Sequence, residues 1–118
     1  MSTQLARLPK TIASYLKSIN NHDSGTFNAL FAEHAVVDDV GREFRGLAAI
    51  KTWSDKEIFD AQVTLDVIKV AEHGSETVIT TKVDGNFDRT GLPDPVIINH
   101  HLTVEGDKIV RLMCRLAS

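Results

Sequence analysis

The sequence has few of the features that mark several classes of protein. It contains one cysteine, so no disulfide can form within the chain and a small disulfide-stapled scaffold is excluded. Its apolar runs are too short for a membrane-spanning helix, and residues 1–10 lack the apolar core of a secretory signal. Its 13 basic residues are outnumbered by 16 acidic ones, so it has no basic footprint for nucleic acid. These absences predict a cytoplasmic protein with neither a membrane nor a nucleic-acid partner.

Length and composition indicate one folded domain. The chain has 118 residues, of which 42% are hydrophobic and 25% charged, as in ordinary folded domains. It shows no internal repeat, low-complexity tract or linker. A single domain over residues 1–118 is therefore expected.

The first half of the chain is predicted to be mainly helical. Apolar residues at steps of three and four indicate an amphipathic helix that ends near Asn20–Asn21, and Asp23 can cap the next helix. The stripe of the first helix consists of Leu5, Leu8, Ile12, Tyr15, Leu16 and Ile19. The elements predicted after it are a helix at Ser24–Glu33, strands at Ala35–Val40 and Arg42–Arg45, and a helix at Leu47–Phe59.

The second half is predicted to consist of strands, because apolar and polar residues alternate along it. The alternation changes parity between Val67 and Ile68, which predicts a β-bulge and a bend in the sheet. The predicted strands are Val63–Val70, Thr77–Phe87, Ile98–Val104 and Lys108–Leu116, joined by turns at His73–Ser75 and Glu105–Asp107 and a loop at Thr90–Pro95. One face of the last strand carries Val110, Leu112, Cys114 and Leu116, and the other carries Ile109, Arg111, Met113 and Arg115.

This order of elements predicts an α+β fold. Helices precede a run of strands joined by short turns, so the sheet should be mostly antiparallel. A strongly bent sheet with three helices packed on its concave face forms a cone, and a cone can hold a pocket.

Several segments resemble a known family. They are Asp23 at the start of the second helix, the segments Phe31–Asp39 and Gly46–Trp53, and the hairpin Leu102–Val110. With the element order, they resemble the SnoaL-like (polyketide cyclase-like) group of the nuclear transport factor 2-like superfamily, to which ketosteroid isomerases are related. The resemblance implies a small-molecule pocket and a homodimer formed through the exposed sheet face. It covers nearly the whole chain, but fold alone does not define a reaction.

Asp39 is the first candidate for chemistry. Asp38 and Asp39 end a strand, and only one of them can point inward; if Val37 faces the core, Asp39 does too. Desolvation of an inward carboxylate prepares it to act as a general base near neutral pH, and a surface pair at a strand end is the alternative. In ketosteroid isomerases, a tyrosine on the first helix is followed 24 positions later by the aspartate base, and the interval from Tyr15 to Asp39 is also 24. The resemblance therefore implies that Asp39 is a base.

Tyr15 and His100 are the other candidates. Tyr15 is either a core residue with a backbone partner or a hydrogen-bond donor at the pocket floor. His100 lies in the apolar row of a central strand and is either a satisfied core residue or a proton donor. A gapped comparison with the isomerases puts His100 where they keep a protonated aspartic acid, whereas an ungapped one puts Asn99 there. Either residue departs from the isomerase pattern, so steroid isomerisation in its known form is not expected.

The remaining candidates are apolar or are expected to be structural. Trp53, Phe31, Ile98 and Leu102 are predicted to contact a ligand. Cys114 is expected to pack in the core, and His101 to face solvent or a partner chain. No group of residues has zinc-ligand spacing, and the constellation needs no cofactor.

Two kinds of function remain open. In the first, a small apolar carbonyl compound enters the cone, Asp39 moves a proton, and Tyr15 and His100 stabilise the enolate-like oxygen, as in isomerisation, aldol cyclisation or dehydration. In the second, the domain binds a ligand without turnover, or serves as a dimeric interaction module.

Overall fold

The computed structural model describes residues 8–117 and has an α+β architecture, as predicted. Its three helices lie in the first half of the chain: α1 spans Lys10–Asn20, α2 spans Ser24–Ala29, and α3 spans Leu47–Ser54 and continues as a π-helical turn over Asp55–Phe59. None of the described helices is long and apolar enough to cross a membrane.

Six strands form one open sheet. They are β1 (Phe31–Asp39), β2 (Arg42–Arg45), β3 (Thr64–His73), β4 (Glu76–Asp84), β5 (Val96–Glu105) and β6 (Lys108–Leu116). Their order across the sheet is β2-β1-β6-β5-β4-β3. Only the β1–β6 pair is parallel among these strands, because the helical segment α3 and the long strands β3 to β5 separate β1 from β6 along the chain.

The core lies between the concave face of the sheet and the helices. The buried apolar side chains of α1 are those of the predicted stripe from Ile12 onward, which match the helical period. They meet Phe27 of α2 and Val37 of β1, both of which are fully buried. Fully buried apolar side chains of this size stabilise the fold by about 2 kcal/mol each.

One end of the cone is closed by contacts between α1, α2 and the β5–β6 hairpin. The hydroxyl of Thr11 donates to the carbonyl of Asp107 at 3.0 Å, and the backbone N–H of Ile109 donates to the carbonyl of Leu30 at 2.8 Å. At the other end of α1, the Asn20 amide both donates to and accepts from the backbone of Leu65. Both ends of α1 are thereby fixed to the sheet.

Two bulges bend the sheet. In β3 the register shifts between Val67 and Lys69, so Ile68 is the additional residue and the predicted bulge is confirmed. A second bulge shifts the β5–β6 register between Thr103 and Val104 and makes Val110 the additional residue. The assignment of Ile109 to the outer face was therefore wrong: this bulge reverses the parity of the strand and turns Ile109 into the core, where it is fully buried.

One predicted helix boundary and one predicted strand boundary were wrong. The second helix ends at Ala29 instead of Glu33, because Leu30 and Phe31 pair with Ile109 on β6 and this long-range pairing overrides local helical propensity. The first strand accordingly starts at Phe31 instead of Ala35. Asp23 caps the second helix as expected, by accepting from the Thr26 N–H.

Three further differences concern element ends. The first helix begins at Lys10 after Pro9, so Leu8 precedes it, while Leu5 lies outside the described residues. The predicted third helix changes to π-helical hydrogen bonding after Ser54. The fourth strand ends at Asp84, and Phe87 packs against the core from the loop that follows.

Candidate functional site

A cavity of about 360 Å³ occupies the wide end of the cone. Most of its lining is apolar, and the polar side chains on it come from five different elements and the loop after β4. The apolar lining includes Ile19, Trp53, Ile58, Val63, Leu65, Val83, Phe87, Leu92, Val96 and Ile98. The polar lining consists of Tyr15, Asp39, Arg42, Glu57, Asp88 and His100. An apolar cleft with a few convergent polar groups is typical of small-molecule sites.

Five of the seven predicted site residues line this cavity: Tyr15, Asp39, Trp53, Ile98 and His100. Phe31 and Leu102, which were expected to contact a ligand, lie in the core beyond it. Leu102 is two residues past His100 toward the closed end of the cone, and Phe31 packs on the ring of Phe27. Both side chains support the floor of the cavity instead of lining it.

The sheet register relates Asp39 to His100. Asp39 on β1 is paired with Cys114 on β6, and Cys114 is paired with His100 on β5. The three residues form one row across the concave face. Asp39 and His100 are thus two strand spacings apart, roughly 10 Å between their backbones. They approach the cavity from separate positions.

Tyr15, His100 and Thr81 form a buried chain of hydrogen bonds, here called the relay. The Tyr15 hydroxyl lies 2.9 Å from Nδ1 of His100, and Oγ1 of Thr81 lies 3.0 Å from Nε2. Both ring nitrogens are therefore engaged, so His100 acts on the cavity through Tyr15. Asn99 points to the other face and bonds to Thr80, which confirms His100 as the inward residue.

The relay is neutral. Burial lowers the pKa of His100 to about 4, with a smaller contribution from His101. Burial also raises the pKa of the Tyr15 hydroxyl well above its usual value, and Cys114 and Asp39 add to this effect. Near neutral pH the relay consequently contains a neutral imidazole and a protonated phenol.

Asp39, Arg42 and Glu57 form a chain of ion pairs, here called the clamp. A two-residue turn joins β1 to β2, and it places Arg42 directly opposite Asp39. Val40 and Gly41 in this turn have φ values of 50° and 90°, the positive angles of a tight hairpin turn. Glu57 comes from the π-helical turn after α3, and such turns are frequent at functional sites.

Arg42 is shared between the two carboxylates. Its guanidinium donates to both oxygens of Glu57, at 2.7 and 2.6 Å, and to Oδ2 of Asp39 at 2.5 Å. The hydrogen bond from Arg42 is the main cause that lowers the pKa of Glu57. The same hydrogen bond with Glu57 is the main cause that raises the pKa of Arg42. Arg42 and Glu57 are therefore charged near neutral pH and form an ion pair beside Asp39.

The indole of Trp53 also holds Asp39. Its Nε1–H donates to Oδ2 at 3.0 Å, and its ring stacks on Phe44, which in turn lies under the Arg42 guanidinium. Among residues 8–117, both donors to the Asp39 carboxylate meet Oδ2. The oxygen Oδ1 is thus the one left to accept a proton or a hydrogen bond.

Asp38, the neighbour of Asp39, lies on the opposite face. Arg115 donates to both of its oxygens, at 3.0 and 3.1 Å, and the backbone N–H of Gly41 donates to one of them. The hydrogen bond from Arg115 is the main cause that lowers the pKa of Asp38. The two aspartates are therefore similar in chemistry and different in location, which makes Asp38 a natural control for Asp39.

Cys114 and His101 lie where the sequence predicted. Cys114 is buried between Asp39 and His100 in the row described above, with its Sγ 4.0 Å from Nδ1 of His100. Burial raises the pKa of its thiol, so it is not a nucleophile at neutral pH. His101 faces outward, 3.5 Å from Glu76. The described residues contain no group of three side chains able to hold a metal ion.

Arg42, Glu57 and Thr81 were not predicted as site residues. A signal was present for Glu57, a charged residue in the apolar stripe of the third helix. Thr81 is fully buried on β4, but its contact with His100 depends on the register between β4 and β5. The loop at Thr90–Pro95 lies between the two strands and does not define how they align, so that register cannot be predicted from the sequence.

Comparison with known proteins agrees with this fold. The SnoaL-like domain family matches residues 12–112. A candidate polyketide cyclase from Sinorhizobium meliloti is 25% identical, with a TM-score of 0.84 and coverage of 95% of this chain and 99% of that one. No match was found among curated proteins.

More distant structures share the fold. A candidate ketosteroid isomerase from Kribbella flavida is 14% identical, with a TM-score of 0.74 and coverage of 92% of this chain and 76% of that one. A Mycobacterium tuberculosis protein in complex with estradiol-17β-hemisuccinate is 16% identical, with a TM-score of 0.74 and coverage of 88% of each chain.

Proposed function

Since the chain belongs to the SnoaL-like domain family, we propose that its cavity binds a small apolar carbonyl compound and that Asp39 moves a proton on it. The observation that carries this proposal is the pair of polar groups on one apolar cavity, a carboxylate with an unoccupied oxygen and a buried tyrosine hydroxyl. A fold neighbour was solved with a steroid ester, which supports an apolar ligand that carries oxygen atoms.

Asp39 acts as the general base in this proposal. Trp53 and Arg42 hold Oδ2, so the carboxylate is oriented and Oδ1 is the oxygen left to take a proton from the ligand. A base held in one orientation loses little entropy when it reaches the carbon acid. Positioned bases of this kind contribute about 10² to 10⁴ in rate.

Tyr15 stabilises the oxygen of the enolate that forms. Its hydroxyl lies beside His100, at the opposite end of the row described above from Asp39, so the two groups act on different atoms of one ligand. Asp39 takes the proton from a carbon, and the negative charge moves to the oxygen near Tyr15. Isomerisation, aldol cyclisation and dehydration all share this step, and none of them requires a cofactor for it.

The shared step can be measured without knowledge of the natural substrate. We expect the protein to exchange α-carbon hydrogens of the bicyclic ketone decalone for deuterium in D₂O, followed by mass spectrometry. Asp39→Asn should reduce this exchange about 10²-fold or more, as expected when a general base is lost. Asp38→Asn, with the neighbouring aspartate changed on the outer face, should leave it unchanged. Equal exchange by the wild type and Asp39→Asn would remove Asp39 as the base.

A non-catalytic binding protein is the second candidate. It is favoured by the contacts of Asp39 with Arg42 and Trp53, which engage Oδ2 in hydrogen bonds within the protein. In this case decalone would bind to the wild type and to Asp39→Asn with similar affinity, and neither would catalyse exchange.

We also propose that two copies pair through the outer face of the sheet. Apolar Ile97 and Met113 lie half-buried on this face beside His101, whereas Ile109, expected there, is in the core. Light scattering at micromolar concentration should give the mass of a dimer, and Met113→Asp should shift it toward the monomer. A wild-type monomer under these conditions would contradict the proposal.

A further inference from the structure

The turn between β1 and β2 holds an apolar residue, Val40, in a backbone conformation that disfavours its side chain. We propose that Val40 is a specificity-determining residue that contacts the apolar part of the ligand at the mouth of the cavity. The mouth is the part of the lining that is exposed to solvent, and Val40 and Leu116 belong to it. This inference rests on the proposed function only in that the cavity binds an apolar ligand, and it does not require the ligand to react.

The backbone of Val40 is strained. Val40 is the first of the two residues that join Asp39 to Arg42, and its φ is 50°. In this left-handed region Cβ lies too close to the following carbonyl oxygen, so turns of this kind favour Asn, Asp or Gly. A β-branched residue is among the types least suited to it. Among the described residues other than glycine, positive φ values occur at His22, Val40 and Gln62, and Val40 is the β-branched one.

Neighbouring hydrogen bonds hold the turn in this conformation. The N–H of Val40 donates to the carbonyl of Cys114 at 3.0 Å, and the N–H of Gly41 donates to Oδ1 of Asp38 at 2.8 Å. The pairing of β1 with β2 fixes the residues on both sides of the turn. The chain therefore reverses at this position whatever its side chain is, and the strain is a cost of valine itself.

Contacts within the fold offset little of this cost, because Val40 is 50% exposed. Four large hydrophobic residues are exposed in the part of the chain that the structure describes, and Val40 and Leu116 are the two of them that line the cavity. An apolar side chain in water gains free energy only when another group covers it. A ligand that fills the cavity to its mouth covers both side chains, so it supplies what the free protein lacks.

The polar groups of the cavity leave its mouth to the apolar part of the ligand. The hydroxyl of Tyr15 lies in the buried part of the lining. Arg42 is exposed, but its guanidinium is already paired with both carboxylates of the clamp. The ligand class that fits is an apolar molecule with its oxygen at one end and hydrocarbon at the other. A strongly hydrated group at the mouth would leave Val40 and Leu116 in water.

Thermal unfolding of Val40→Asn tests the strain. Asparagine is similar in size to valine and adopts positive φ more easily. The variant should therefore melt about 3–5 °C above the wild type, the shift expected when one strained residue is relieved in a domain of this size. His22→Asn changes another residue of positive φ, outside the cavity lining, and should have a smaller effect because histidine tolerates this region better than valine. A melting temperature of Val40→Asn equal to or below that of the wild type would overturn the inference.

Binding of an apolar probe tests the contact with the ligand. The probe is 1-aminoanthracene, a compound of three fused rings whose fluorescence increases in apolar surroundings. Val40→Asn should bind it about tenfold more weakly than the wild type, as expected when the apolar surface of one side chain no longer covers the ligand. Val40→Leu keeps an apolar side chain and should bind like the wild type, and so should His22→Asn. Equal affinities of the wild type and Val40→Asn would also overturn the inference.

The two measurements change in opposite directions, which separates loss of a contact from general damage to the fold. Val40→Asn is expected to be more stable and to bind the probe more weakly, whereas a poorly folded variant would lose both properties. Weaker binding by Val40→Asn, without hydrogen exchange on decalone by the wild type, would contradict only the catalytic proposal. Hydrogen exchange by the wild type, with unchanged affinity of Val40→Asn for the probe, would contradict only the present inference.

Discussion

The relay and the clamp place polar groups on one apolar cavity by opposite means. The relay is fully buried and neutral, and it joins residues 85 and 19 positions apart in the chain. The clamp is charged and more exposed: the exposed fractions of the side chains are 53% for Arg42, 17% for Asp39 and 35% for Glu57. Two of its members face each other across a single hairpin.

Because of this difference, the relay contributes to the stability of the fold, whereas the clamp contributes mainly to the chemistry of the site. A buried polar atom that loses its partner costs the fold about 1–3 kcal/mol, so each member of the relay is also part of the core. Partly exposed ion pairs contribute only about 0–1 kcal/mol, because water replaces what is lost. The clamp can therefore orient Asp39 with little consequence for the fold.

The largest expected effect is a pH dependence of stability that comes from the relay. The pKa of His100 is about 4 in the folded protein and near 6.5 in the unfolded chain. Between these values the unfolded chain binds one more proton, so stability falls as the pH is lowered. The full effect is roughly 3 kcal/mol between pH 6.5 and pH 4.

Denaturant unfolding over this pH range would measure the effect. His100→Gln should remove the slope of about 1.4 kcal/mol per pH unit, whatever its own stability at neutral pH. His101→Gln, at the adjacent position on the outer face, should retain the slope. If both variants retained the slope, or if both lost it, burial of His100 would not be the source of the slope.

A pair of substitutions compares the relay with the clamp directly. Tyr15→Phe leaves the ring in place but deprives His100 of a buried partner, and it should lower the free energy of unfolding by about 1–3 kcal/mol. Arg42→Met keeps an apolar stem over Phe44 and should lower it by less than about 1 kcal/mol. Urea unfolding at neutral pH checks both values. A larger loss in Arg42→Met would mean that the clamp also stabilises the fold.

The site residues that could be predicted from the sequence are those whose orientation follows from the periodicity of one helix or strand. Tyr15, Asp39 and His100 each occupy the inward position of a regular helix or strand, and the resemblance to the family supports the same positions. Two features interrupt this regularity, the bulge at Val110 and the π-helical turn that carries Glu57. Neither has a clear pattern in the sequence, because each depends on packing between distant segments.

The hydrogen-bond partners of the predicted site residues were harder to predict from the sequence than the residues themselves. Thr81 meets His100 through the β4–β5 register, and Arg42 meets Glu57 across 15 positions of chain. Asp39 was expected among apolar side chains, and the structure adds a guanidinium beside it. A residue that faces inward can be predicted from parity, but its hydrogen-bond partner requires the tertiary structure.

The smallest expected effect concerns the clamp alone and appears in the rate of hydrogen exchange on decalone. In Arg42→Met, Oδ2 of Asp39 keeps the hydrogen bond from Trp53 and loses the one from Arg42, so the carboxylate is oriented less firmly and exchange should slow by less than about tenfold. In Glu57→Gln the hydrogen bond from Arg42 to Asp39 is retained, so the rate should change less than in Arg42→Met. Arg115→Met removes the cation beside Asp38 on the outer face and should leave the rate unchanged. Equal losses in Arg42→Met and Glu57→Gln would indicate that both variants merely disturb the cavity.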